Sequence, residues 1–359
     1  MEKMRVGVVG CGGIANGKHL PAMKRAGRFD IVALCDIREE RAQKAKEEYG
    51  APDARVYTDY RELLKEELDA VYVLTPNKSH AEISIAAMKS GKNVMCEKPM
   101  AKTLAEAKEM VETAEATGKI LNIGYQNRYR PEFLYLKKAC EAGELGDIYY
   151  ARALALRRRG VPTWGVFMNE EEQGGGPLID IGTHSLDLTL WLMDNYEPES
   201  VTGSVFYKLS KQTDQGNVFG DWDPDEYTVE DSAFGFIRMK NGATIALESA
   251  WALNIADPRE AQTMLCGTKA GADLLDGSLR INRIHHNRQT IEKPDMAAGG
   301  VAFFEGKSMN ESDLEQAYFY NAVMKGEPQL VKPRQAMMVT QLLEAVYTSA
   351  KTGKTVYFD

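Results

Sequence analysis

The segment Val6–Ala15, VGVVGCGGIA, constrains this chain more than any other. A short β-prone apolar run enters a glycine-rich turn and then a helical pattern, the opening of a dinucleotide-binding βαβ unit. In the spacing Gly10-x-Gly12-x-x-Ala15, Gly10 permits the tight turn and Gly12 lets backbone N–H groups approach a pyrophosphate. Ala15, reached through Gly13 and Ile14, is small enough for helix–strand packing. The helix N-terminus then faces the negative charge. Asp36 closes the next apolar run, Val32–Asp36, where the ribose-binding acid of such units belongs. A carboxylate there accepts hydrogen bonds from a ribose 2′-hydroxyl and repels a 2′-phosphate, favouring NAD over NADP. Arg38, two residues on, qualifies that preference because it could hold the phosphate.

The first third of the chain continues this alternation of short apolar runs and helical patterns, which predicts a doubly wound parallel sheet. Strands are expected near Arg5–Val9, Ile31–Cys35, Val56–Tyr57, Ala70–Leu74, Asn93–Cys96 and Ile120–Ile123. The core of this half is read as Val6, Val8, Ile31, Val32, Leu34, Val71, Val73, Val94 and Ile123. Asp59 with Glu62, and Thr103 with Glu106, have capping-box spacing, and Gly91 and Gly118 stand at expected helix ends. After about residue 125 the segments lengthen and alternate: 148–156, 201–209, 232–239, 243–251 and 261–266, with the hairpin signal Asn241-Gly242. A large, mostly antiparallel open sheet with helices on one face fits this half. A helix over 313–325, boxed by Ser312 and Glu315 and stopped by Gly326, and a last helix after Pro333 complete the reading. The expected division is 1–124 for the nucleotide domain and 125–359 for a substrate and oligomerisation domain.

A length of 359 residues suits two domains. The net charge of −8, with both signs interspersed, argues against nucleic acid or anionic membrane as partner. The N-terminal apolar run reads as too short for a signal peptide. Five cysteines without a CxxC spacing read as reduced thiols in a cytoplasmic protein.

Two further segments carry chemistry. Glu97-Lys98-Pro99 ends the fifth expected strand, and an ammonium there can stabilise a developing alkoxide. A surface turn lysine is the blander reading. Gly174–His184, GGGPLIDIGTH, is a mobile or closely approached loop feeding a helix, with Asp180 and His184 one turn apart on one face and Asp187 a turn further. An imidazole suits acid–base work near neutrality, and Asp180 can orient it or hold substrate. A metal site built from Asp180, His184 and His285 or His286 lacks a motif for the remaining ligands, so no metal is expected. Thr75-Pro76-Asn77 follows the fourth strand at the edge where open sheets bind ligands.

Five motifs in order resemble the glucose–fructose oxidoreductase / inositol dehydrogenase / rhizopine-catabolism (Gfo/Idh/MocA) family. They are Gly10–Ala15, Thr75–His80, Glu97–Pro99, Gly124–Pro131 and Gly174–Asp187. The resemblance implies a Rossmann domain followed by an α/β domain whose sheet makes a homodimer or homotetramer. It implies an NAD-dependent enzyme moving a hydride between a ring hydroxyl of a sugar, glycoside or inositol and nicotinamide, in carbohydrate metabolism. Lys98, Asp180 and His184 carry over as the catalytic set, and Gly10, Gly12, Gly13, Ile14, Ala15, Asp36, Arg38, Thr75, Asn77, His80, Glu97, Lys98 and Gln126 as cofactor contacts. Arg128, Tyr129, Arg158 and Trp164 join the catalytic three as substrate contacts. Trp164 stands equally well as a ring-stacking residue or as a core or subunit-contact aromatic. The segment Arg157–Phe167 looks similar to members acting on glucosides and anhydrosugars, which makes a pyranose C3 hydroxyl the working hypothesis. Redox-neutral use of a retained NAD, and a non-catalytic NAD(H) sensor, are the alternatives.

Overall fold

The computed structural model describes residues 2–212, 214, 216–274, 277–296 and 309–358. These divide into two compact units, Met1–Tyr129 with Gly306–Met337, and Arg130–Glu305 with Met338–Asp359.

The first unit holds six parallel strands: β1 (Met4–Val9), β2 (Phe29–Cys35), β3 (Arg55–Tyr57), β4 (Ala70–Val73), β5 (Asn93–Cys96) and β6 (Leu121–Ile123). Their order, β3-β2-β1-β4-β5-β6, reverses direction between β1 and β4, the switch point at which doubly wound sheets take ligands. All nine residues read from the sequence as core are buried. Near-continuous apolar strands with both faces covered explain why the pattern was easy to read. Thr103 and Glu106 form the expected reciprocal capping box on the helix Leu104–Thr117. Asp59 caps its helix through the Arg61 amide alone, and Glu62 turns instead to Lys65.

One segment from late in the chain belongs to this unit. The helix Glu311–Lys325 starts earlier than expected, because Asn310 rather than Ser312 supplies the cap, accepting from the Asp313 amide at 2.9 Å. Its Phe319 and Tyr320 pack edge-on against Tyr72 and Phe29, with ring centroids 5.5 and 5.9 Å apart. A single cut near residue 124 therefore does not describe the compact units.

The second unit is built on nine strands: β7 (Ile148–Leu156), β8 (Pro198–Phe206), β9 (Ser232–Met239), β10 (Thr244–Ala250), β11 (Arg259–Gly267), β12 (Ala270–Asp273), β13 (Arg280–His285), β14 (Arg288–Glu292) and β15 (Val356–Tyr357). Their order is β14-β13-β12-β11-β7-β10-β9-β8-β15. The β7–β10 pair is parallel and the other pairs are antiparallel. The Asn241-Gly242 turn joins β9 to β10 as expected. The helix Thr183–Met193 is buried almost throughout, and Thr189 reaches Thr263 on β11 with hydroxyl oxygens 2.8 Å apart. No helix among the described residues is long and apolar enough to cross a membrane.

Candidate active site

In the first unit the Gly10 turn leaves β1 at the switch point. Gly10 has φ +93°, and a Cβ there would lie 2.5 Å from the Leu74 carbonyl oxygen, so only glycine fits. At Gly12 and Gly13 a Cβ would meet nothing within 4 Å, which leaves open space beside the backbone for a phosphate. Ala15 is fully buried and Ile14 is exposed. The first helical turn, Ala15–His19, is π-helical and runs into the helix Leu20–Ala26.

Asp36 is almost buried at the end of β2. It accepts from the amides of Cys11 and Arg38, both at 2.9 Å, so it tethers the glycine turn. A carboxylate has about four acceptor positions, so lone pairs remain for a ribose hydroxyl. The Arg38 side chain is exposed. Turn, open space and acid together fit a dinucleotide. The neighbouring thiols of Cys11 and Cys35 are pushed up to about 12 by burial and by Asp36, which leaves them unreactive.

The other cofactor-side residues divide into two groups. His80 is buried, with its ring nitrogens 2.8 Å from the Pro99 carbonyl and 2.9 Å from the Thr75 carbonyl. It is thus a strut joining two turns, and burial lowers its pKa against the pull of those carbonyls. Thr75 receives the Ser79 hydroxyl at 2.8 Å, and Asn77 opens a short 3₁₀ turn.

Glu97 is turned inward. Its Oε1 lies 2.8 Å from Lys18 Nζ and 2.7 Å from His19 Nε2, and its Oε2 accepts from the Lys98 amide at 3.0 Å. Burial opposes its ionisation, but Lys18 and His19 outweigh that and hold the carboxyl well below the usual range. Lys18 also pairs with Glu315 at 2.9 Å and reaches Gln126 at 3.3 Å. Glu97, expected as a cofactor contact, is therefore a buried anchor beneath Lys98. Lys98 itself is partly exposed, and its bond to Pro99 is cis.

Arg128 and Tyr129, expected to contact substrate, are fully buried. Arg128 donates through Nη1 to the Leu330 carbonyl at 3.0 Å and to Gln335 at 2.8 Å. Tyr129 packs edge-on against Tyr318.

In the second unit, Asp180 lies in the π-helical turn Leu178–Gly182, which leads directly into the helix carrying His184 and Asp187. The indole N–H of Trp251 donates to Asp180 Oδ2 at 3.0 Å, fixing the carboxylate. The preceding glycine loop is closely packed. A Cβ on Gly175 would lie 2.0 Å from the Tyr347 hydroxyl, and one on Gly176 would lie 2.4 Å from the Glu230 carbonyl. Glu230, 1% exposed, accepts from the amides of Gly176 at 2.8 Å and Leu178 at 3.1 Å, and from Tyr347 at 2.8 Å. Burial raises its pKa to about 7, against the lowering effect of these three donors. Lys18, His19, Glu230 and Trp251 were not singled out from the sequence. The acidic pair Glu230-Asp231 before a largely apolar strand is the faint signal that Glu230 offered.

The arginine segment borders a cavity of about 760 Å³ lined by Arg157, Arg158, Arg159, Phe219, Asn254 and Glu260, among others. Arg157 is clamped by Glu260 at 2.6 and 2.5 Å and is also drawn electrostatically to Asp180. Arg158 is exposed. Trp164 is 52% exposed on an aromatic corner with Phe219 and Phe167, so it is not a core residue. Among the described residues, no group of three or more His, Cys, Asp or Glu could hold a metal ion.

Comparison with known proteins agrees with this geometry. The chain is 37% identical to D-glucoside 3-dehydrogenase of Escherichia coli (strain K12), over 98% of this chain and 97% of that protein. It is 29% identical to myo-inositol 2-dehydrogenase of Thermotoga maritima, over 98% of each. Its fold matches the crystal structure of an oxidoreductase domain protein from Kribbella flavida with a TM-score of 0.87, at 23% identity and full coverage of both chains. Residues 4–125 match the oxidoreductase family's NAD-binding Rossmann fold, and residues 137–358 match that family's C-terminal alpha/beta domain. A glycine turn tied to Asp36 and an Asp180–His184 helix thus stand within the two matched halves of one sequence, and the chain belongs to the Gfo/Idh/MocA oxidoreductase family.

Proposed function

We propose that this protein is an NAD-dependent dehydrogenase that oxidises a ring hydroxyl of a D-glucoside, at C3. The end-to-end match with a D-glucoside 3-dehydrogenase carries this reading. Gly10, Gly12, Gly13 and Asp36 would hold the dinucleotide, and Asp36 favours NAD over its 2′-phosphorylated form. The nicotinamide, when bound, supplies the hydride acceptor. His184 Nε2 takes the proton of the reacting hydroxyl, a task suited to imidazole near neutrality. Asp180, held by Trp251, bonds a neighbouring hydroxyl and steadies the imidazolium. Lys98, anchored through its amide to Glu97, stabilises the alkoxide as it forms. Five free cysteines suit a reducing compartment, which supports a cytoplasmic enzyme. The nine-stranded sheet is the proposed surface for a homodimer or homotetramer.

The test is absorbance at 340 nm with NAD and, separately, methyl D-glucosides, glucose and myo-inositol, with Lys98→Ala as control. NADH formed with a methyl glucoside and lost in the variant is the expected result. NADH with myo-inositol alone would replace the glucoside by a cyclitol. Consumption of a glucoside without net NADH would replace the dehydrogenase by redox-neutral chemistry.

A further inference from the structure

Glu230 lies outside the motifs that define the family, yet its carboxylate sits beneath the loop from which the Asp180–His184 helix begins. The helix starts at Gly176, whose carbonyl accepts from the amides of Ile179 at 3.1 Å and Asp180 at 2.9 Å. A movement of Gly176 therefore passes to Asp180 through one hydrogen bond. Three contacts hold this starting point. Glu230 Oε2 takes the Gly176 amide, Glu230 Oε1 takes the Leu178 amide, and Ser249 donates to the Pro177 carbonyl at 2.7 Å. Tyr347, from the helix Pro333–Thr352, donates its hydroxyl to Glu230 Oε1.

We propose that Glu230 is a positioning residue: its ionised carboxylate clamps the two amides that open the Asp180–His184 helix, and Tyr347 holds the clamp in place. The consequence for turnover rests on the reading of Asp180 and His184 given above. The clamp itself does not.

The geometry makes charge necessary. Three donors converge on two oxygens. Protonating the carboxyl, or replacing it with an amide, sets a donor against one of them and orphans a buried N–H. The groups facing Glu230 give a protonated form little opposition near neutrality. They are Tyr347, Tyr207 and Tyr227, with Asp231 beside them and Glu170 near Tyr207 and Tyr347. A carboxyl titrating at about 7 in these surroundings loosens the loop as the pH falls through that value.

The test uses the full-length protein and the variants Glu230→Gln, Glu230→Asp and Tyr347→Phe. Hydrogen–deuterium exchange is followed in peptides spanning 174–184, with peptides from β7 and β10 as internal reference. Glu230→Gln is expected to speed exchange in 174–184 at least tenfold at pH 8 with the reference peptides unchanged. Tyr347→Phe moves it the same way by less, and Glu230→Asp restores part of the protection. If Glu230→Gln does not fold, Tyr347→Phe carries the comparison. Unchanged exchange in 174–184 overturns the clamp, whether or not the protein forms NADH. With an active substrate in hand, Glu230→Gln should lower kcat about tenfold with the KM for NAD within twofold. It should also make the acid limb expected of wild type near pH 7 shallower, leaving only the part that the His184 imidazole imposes. An acid limb unchanged in position and steepness by the substitution refutes the link to turnover. Failure of wild type on every carbohydrate would instead refute the dehydrogenase reading and leave the exchange result to decide the clamp.

Discussion

Gly175→Ala is the substitution whose consequence can be worked most fully. The new Cβ would stand 2.0 Å from the Tyr347 hydroxyl oxygen, 2.8 Å from its ring carbon Cζ and 2.9 Å from Ile179 Cγ1. Reaching van der Waals separation requires the hydroxyl to retreat by about 1.4 Å, which breaks its 2.8 Å bond to Glu230. Overpacking costs about 1–3 kcal/mol. Loss of a hydrogen bond to a charged group adds about 1.5–3 kcal/mol, so the single substitution should destabilise the second unit by about 2.5–6 kcal/mol. In Tyr347→Phe the hydroxyl and its bond are already gone, and only the contacts to the ring carbon at 2.8 Å and to Ile179 Cγ1 at 2.9 Å remain to be relieved. The two changes should therefore be strongly non-additive, the double variant being about 2–3 kcal/mol more stable than the sum of the singles.

All four tryptophans (164, 191, 222 and 251) lie in the second unit, so tryptophan fluorescence during urea unfolding reports on that unit alone. An interaction energy within about 0.5 kcal/mol of zero would refute the argument. It would mean that the Tyr347 hydroxyl does not occupy the space above Gly175.

Two further perturbations act on the first unit. Glu97→Gln leaves Lys18 and His19 buried with one anion fewer and should cost about 3–5 kcal/mol in thermal or urea unfolding. The ionised Glu97 has a depressed folded pKa. Its contribution is complete above the unfolded carboxyl value of about 4.3 and is lost as pH falls through the folded one, so wild type and variant should converge on acidification. Asp36→Asn removes the charge that faces a 2′-phosphate while keeping an acceptor for one amide. The ratio of NADP to NAD affinity, measured by titration calorimetry, should rise at least tenfold, and an unchanged ratio would deny Asp36 its role in cofactor choice.

The first unit was legible because its signals are local. A glycine turn, a capping box at Thr103 and apolar strands buried on both faces each lie within a few consecutive residues. What escaped notice there depends on tertiary pairing. Lys18 and His19 look like ordinary polar helix residues until Glu97, some eighty positions on, is seen between them. The burial of Arg128 and Tyr129 was hidden for the converse reason. Their types suggest recognition, and only the Leu330 carbonyl and Gln335 reveal that Arg128 Nη1 is engaged inside the unit. In the second unit, β7 and β9 are long, largely apolar runs and were placed correctly. β12, with the sequence AGAD, has almost no β signal and owes its strand form to its neighbours β11 and β13.

Both of the motifs expected to act on substrate rest on a buried carboxylate, and the two carboxylates have been given opposite company. Glu97 sits against a lysine and a histidine, so its charge survives burial and falls below the ordinary range. Glu230 is held by two amides and a phenol. These bond its charge but cannot neutralise it, and burial lifts its pKa to about 7. The anchor under Lys98 should therefore stay ionised throughout the range in which the clamp beneath Asp180 and His184 gains its proton. Acidification from pH 8 to pH 6 should speed amide exchange in 174–184, once corrected for the intrinsic pH dependence of exchange, and leave the peptide containing Lys98 unaltered. Equal loosening of both peptides would show that the two carboxylates are not set apart by their partners, and the contrast drawn from Lys18 and His19 would fail.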